Sequence, residues 1–281
     1  MRERIKWEEL SLPKELLSEK VRAAGGDVES MVAVADYFAY WNPKKAPTKE
    51  DVHAAVKLYK AAIRRGDTSA MLNYGGLYRD GIGRKKSRLL AHGWYLRAVL
   101  AYRLHPWKDR SGYRALGNSW RYDYDEDGYP TQSSSKLRLL AAIFWYWRGA
   151  KQEEMNSLYA LGDYYRDGLL VKADGRKAFT YYNRALRAIE EGPCPEKDDN
   201  FDDVAYRLAQ CYHYGIGTEK DLPKAEEYIE LSVGKYREIV DRGGIWDIQR
   251  LAAAMKEREK ILQQNMEIKK DEASAGRTEQ K

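Results

Sequence analysis

A small residue recurs in this chain, and the same companions follow it each time at fixed distances. Gly75, Gly162 and Ala209 are each followed three positions on by a tyrosine (Tyr78, Tyr165, Tyr212) and six on by a glycine (Gly81, Gly168, Gly215). Sixteen positions on comes an alanine (Ala91, Ala178, Ala225). The stretch from Asn156 to Arg187 shows what the spacing encodes. Leu161, Tyr164 and Tyr165 surround Gly162 on one helix, which Gly168 stops, because glycine enters the left-handed conformation that closes a helix. Ala178, Tyr181, Tyr182 and Ala185 then form the apolar stripe of a second helix. Gly162 and Ala178 let the two helices approach closely, and the aromatics fill the space beside them. A lone hairpin of this kind leaves an apolar face uncovered and needs neighbouring copies to stack on it.

Two weaker copies complete the series. Ala35, Phe38 and Trp41 precede Ala55, Leu58, Tyr59 and Ala62, with a slightly longer loop; Gly117 and Trp120 precede Ala142, Trp145, Tyr146 and Gly149, with a much longer one. The spacing between starts at 35, 75, 117, 162 and 209 grows steadily and always exceeds the 34 residues of a tetratricopeptide repeat. The motif Leu161-Gly162, Tyr165, Gly168 and Lys177-Ala178 resembles that of the Sel-one-like repeat family, and the resemblance covers residues 26–243. It implies an all-α, right-handed α/α superhelix of about five helix-turn-helix repeats, and the role of a scaffold for other proteins, not an enzyme. The expected organisation is an N-terminal capping helix in 1–26, with Leu12–Ala24 helical, and repeats over 27–243. A capping helix over 244–270 would present Ile245, Trp246, Ile248, Leu251, Ala252 and Met255 on one face, and a polar tail, 271–281, would be disordered.

The amino terminus is charged throughout and lacks the apolar run of a secretory signal. The longest apolar run, Leu139–Trp147, falls far short of the roughly 20 residues that span a bilayer. Cys194 and Cys211 offer neither a disulfide framework nor metal spacing. These features lead us to expect a cytoplasmic protein with no membrane partner and no cofactor. Charge is uneven: residues 1–150 hold 27 basic and 17 acidic side chains (net +10), and residues 151–281 hold 22 and 26 (net −4), which sum to the +6 of the whole chain. The excess between Arg79 and Arg121 is interleaved with aromatics, which makes nucleic acid the alternative partner. An acidic protein or peptide is the preferred one.

The helical repeat also nominates a binding face. Four positions beyond each small residue stand Arg79, Arg121, Arg166 and His213; one beyond stand Asn118, Asp163 and Gln210; three before stand Arg114, Tyr159 and Tyr206. By analogy with tetratricopeptide grooves these residues line the concave side, where guanidinium groups would take carboxylates. The competing expectation is that the arginines pair with neighbours such as Asp80 and Asp167. Asp123, Asp125 and Asp127, followed by Gly128, match the first half of a calcium loop, but Pro130 and Ser134 break the second half. His53, His92, His105 and His213 show no ligand spacing, and no hydrolase or phosphate-loop motif appears.

Overall fold

The computed structural model describes residues 5–41, 46–104, 111–124, 130–191, 201–241 and 247–278. The chain divides into two compact units, Met1–Gly149 and Ala150–Lys281. Both are built from antiparallel helix pairs, so the all-α expectation holds.

In the first unit, Pro13 is extended, and a single 3-10 turn at Lys14–Leu16 leads into α1 (Leu17–Ala24). The helix expected from Leu12 therefore begins later, because the extended backbone at Pro13 cannot belong to a helical turn. Helices α2 (Val28–Asp36) and α3 (Lys49–Arg64) form the first hairpin. α2 is capped by Asp27, and α3 by a reciprocal box in which Thr48 and Asp51 satisfy each other's backbone N–H. Helices α4 (Thr68–Asp80) and α5 (Arg88–Leu104) form the second hairpin. α6 (Gly112–Arg121) and α7 (Lys136–Ala150) form the third. The third lacks the closing glycine. With Tyr122 and Asp123 in its place the chain leaves the helix extended, and β1 (Tyr122–Tyr124) pairs antiparallel with β2 (Pro130–Gln132).

The second unit holds α8 (Met155–Asp167) with α9 (Gly175–Glu190), then α10 (Phe201–Tyr214) with α11 (Leu222–Asp241), and finally α12 (Ile248–Thr278). Gly81, Gly168 and Gly215 all have left-handed φ (75°, 66°, 73°), as the repeat spacing requires. The second glycine of Gly215-Ile216-Gly217 is needed for contact: a Cβ on Gly217 would lie 2.0 Å from the Gly175 carbonyl.

Three of the hairpins close on one tyrosine each. A Cβ on Gly75, Gly117 or Gly162 would lie 2.7, 2.3 or 2.3 Å from the ring of Tyr95, Tyr146 or Tyr182. The glycines are thus seats for aromatic rings. Where the small residue is Ala209, the corresponding side chain twenty positions on is Ile229, branched and fully buried. The alanines Ala55, Ala91, Ala142, Ala178 and Ala225 are fully buried too. Tyr165 stacks on Tyr181 and Tyr212 on Tyr228, with ring centres 5.6 and 5.8 Å apart.

The buried tyrosine hydroxyls need acceptors. Tyr59 donates to Asp36 at 2.5 Å, Tyr146 to Asn118 at 2.7 Å, Tyr182 to Asp163 at 2.8 Å and Tyr236 to Asp203 at 2.6 Å. Asp36 also accepts from Asn73 at 2.8 Å, but burial still pushes its carboxyl up to about 6. A folded-state pKa above the ordinary 3.8 means that the native state binds the proton more tightly than the unfolded chain. Asp36 therefore detracts from stability above about pH 6, and this penalty is relieved as pH falls towards 3.8. In Asp36→Asn the stability difference from wild type should change in this window and be flat above it; denaturant titrations at pH 4.5, 6 and 7.5 would show this.

Two features of α12 depart from expectation. It continues as helix to Thr278, across a run of Glu, Lys, Ala and Gln that lacks any proline. Its buried face carries Ala254, Glu257 and Ile261, while Ile248 and Met255 are exposed. Ile245 and Trp246 lie outside the described residues. Ala254 and Ile261 pack with Ile229, Val233 and Tyr236, and Glu257 pairs with His213 from the same face.

Candidate functional site

In the second unit, Tyr159, Asp163 and Arg166 follow one another along α8 at four- and three-residue steps, and Tyr206, Gln210 and His213 do the same along α10. That spacing places each trio on one side of its helix. The structure joins the two trios through Arg207, which the sequence reading did not single out. Its Nε donates to Asp163 at 2.9 Å, its Nη1 to Gln210 at 3.4 Å, and its guanidinium lies 5.7 and 5.3 Å from the rings of Tyr159 and Tyr206. Burial works to raise the Asp163 carboxyl, yet Arg207 and Arg166, with the Tyr182 hydroxyl, hold it below the ordinary carboxylate range. Asn73 bonds Asp36 from the equivalent position of an earlier repeat. A polar residue two before one small residue, matched with an acid one after the previous small residue, is the signal that would have found Arg207.

Three residues expected on an open face are buried. Asp163 is held by Tyr182 and Arg207. His213 lies under α12, with Nδ1 2.8 Å from Glu257 and Nε2 3.0 Å from Gln264. Arg121, at the end of α6, packs its guanidinium 5.1 Å from the ring of Tyr122, the first residue of the β-ribbon. Lys260 adds bonds from α12 to Glu257 and to the Tyr214 hydroxyl, at 3.1 and 3.3 Å. The last repeat's first-helix face is thus partly covered by the chain itself.

The remaining residues are half-buried. Arg79 bonds both oxygens of Asp80 (2.6 and 2.7 Å), and Arg166 both oxygens of Asp167 (2.6 and 3.0 Å) while standing 3.3 Å from Asp163. The intramolecular pairing that competes with a partner is therefore formed at both arginines. Arg114 and Asn118 share α6, where Asn118 accepts from Tyr146. On the same helix Trp120 stacks on His92, whose Nε2 lies 2.5 Å from Ser119. Burial, with Arg88 and Arg138 nearby, pulls His92 down to about 4, so it is neutral near pH 7.

Asp123 falls on β1 opposite Thr131, and Asp125 and Asp127, the other two carboxylates of the calcium-loop expectation, lie outside the described residues. His105 and Cys194 lie outside them as well. Among the described residues no group of three His, Cys, Asp or Glu side chains is placed to hold a metal, and no helix is long and apolar enough to cross a membrane.

The Sel1 repeat family model matches residues 28–67, 68–101, 156–188 and 203–233. These are the first, second, fourth and fifth repeats, and the unmatched one carries the β-ribbon. A Schizosaccharomyces pombe protein described as an ERAD-associated E3 ubiquitin-protein ligase component is 31% identical over 100 residues, which is 35% of this chain and 12% of that protein. The chain thus spans only a small part of that relative. A Sel1 repeat protein from Oxalobacter formigenes has a TM-score of 0.48 at 21% identity, covering 85% of this chain and 87% of the other. The protective antigen c5321 of uropathogenic Escherichia coli, with an SLR fold, has a TM-score of 0.48 at 18% identity, covering 90% and 57%.

Proposed function

We propose that this Sel1-repeat protein is an interaction scaffold that holds an acidic segment of another protein against the first helices of its repeats. Sel1 repeats serve in general as protein-interaction scaffolds and are generally non-enzymatic. The observation that carries the finer reading is the α8–α10 cluster: the Arg207 guanidinium lies 5.7 and 5.3 Å from the Tyr159 and Tyr206 rings, and Arg166 shares the Asp163 carboxylate with it. Rigid aromatic area next to a guanidinium is the composition of an interface hot spot. Asp167 is about half exposed, so a partner carboxylate can replace it on Arg166 without stripping a buried pair.

Capture of a partner by the tagged chain, with and without nuclease, is the first test. With that partner in hand, Arg166→Glu should weaken binding at least about tenfold, ~1.4 kcal/mol. Arg121→Glu is not informative at this face, because its side chain is buried. Unchanged affinity in Arg166→Glu, with helicity intact, would remove the acidic-segment reading; capture abolished by nuclease would replace it with nucleic-acid binding.

A further inference from the structure

The outer helices of the repeats are not alike. On α9 the exposed positions include Arg176, Lys177, Thr180, Arg187 and Glu190, an ordinary solvated face. On α5 the exposed stripe is Leu89, Leu96, Leu100 and Leu104, with Arg97 and Arg103 at its margins. On α7 it is Leu137, Leu140, Phe144 and Trp147, with Lys136 and Arg148 exposed beside it. Neither helix contains a single Asp or Glu. The two belong to the same unit and are neighbours in it: Trp145 of α7 packs on the cluster that Ala91, Tyr95, Val99 and Tyr102 of α5 form with Tyr113 and Leu116 of α6. Apolar surface this concentrated on a water-soluble face calls for something that covers it.

We propose that the α5–α7 face docks on an anionic lipid surface. Three observations select that occupant. Leu89, Leu137 and Leu104 are 81%, 80% and 76% exposed, so they project from the surface and do not line a cleft shaped for a partner helix. Leucine, phenylalanine and tryptophan flanked by arginine, with no acid among them, is the composition that buries apolar side chains at the acyl boundary while cations meet lipid headgroups. A second copy of the chain docked through the same face would set like charges against each other, in a unit whose residues 1–150 carry net +10. Lying on a bilayer in this way needs no spanning segment.

The test is sedimentation of the full chain with phosphatidylcholine vesicles, with and without phosphatidylserine. The chain should pellet with the anionic vesicles and release at high salt. Leu89→Asp with Leu137→Asp should lower vesicle affinity at least about tenfold, and so should Arg97→Glu with Arg103→Glu. All four positions are exposed, and circular dichroism would verify the fold. Absence from the anionic pellet, or binding undiminished in the aspartate variant, overturns the proposal. A dimer dissolved by the same substitutions would reassign the face to a second copy. Loss of a captured protein without any vesicle binding would reassign it to a protein partner.

Discussion

Gly162→Leu should cost the second unit about 3 kcal/mol or more. A Cβ alone at this position would lie 2.3 Å from the Tyr182 ring, and a leucine adds three further carbons to the same space. Overpacking in a well-filled core costs ~1–3 kcal/mol. Here the ring also carries a hydroxyl bonded to a buried carboxylate at 2.8 Å, so it cannot shift without losing that bond. Gly93→Leu is the matched control, because a Cβ at Gly93 meets nothing within 4 Å. Glycine is a poor helix former, so that substitution should be neutral or slightly stabilising. Denaturant titration of both variants would separate the effects. If Gly162→Leu unfolds at the wild-type midpoint, the ring seat is not a structural requirement.

That seat explains why the hairpins could be read from the sequence. A glycine and a tyrosine twenty residues on are one contact, repeated, and the closing glycines mark where the first helix ends in the second, fourth and fifth repeats. Both are local consequences of side-chain size and backbone freedom, so they survive in the letters. The third repeat was harder, because Asp123 removed the stop signal and the chain formed a ribbon in its place. The binding face was legible only in part. Helical spacing does predict that Tyr159 and Arg166 share a side, and they do. It cannot predict that α12 turns Glu257 onto His213, because that pairing joins residues 44 positions apart. The same distance separates Arg207 from Asp163, and only the repeat register links them. The leucines of α5 stand in the sequence, but periodicity alone does not say which stripe of a two-faced helix is covered and which is left exposed.

Arg207→Met should be the other severe substitution. Asp163 has its side chain 8% exposed, and Arg207 is its principal charge partner at 2.9 Å. Removing one member of a buried pair costs ~3–5 kcal/mol, because the remaining charge is left in a poor solvent. Arg166, 3.3 Å from Asp163, keeps part of the pairing and places the expected loss near the lower end. The pH dependence has a definite sign. In the wild type the depressed Asp163 carboxyl contributes stability above its unfolded pKa, lost only as pH falls through the lower folded value. In Arg207→Met burial dominates, the carboxyl titrates higher, and the variant recovers relative to wild type on mild acidification. Asp163→Asn with Arg207→Met should recover much of the loss at neutral pH, because no uncompensated charge remains. A double variant as unstable as the single one would show that Arg207 acts through packing against Tyr159 and Tyr206 and not through its charge. In that case the two rings, and with them the proposed contact surface, depend on the arginine stem, and Arg207→Lys would fail to restore partner binding even where it restores stability.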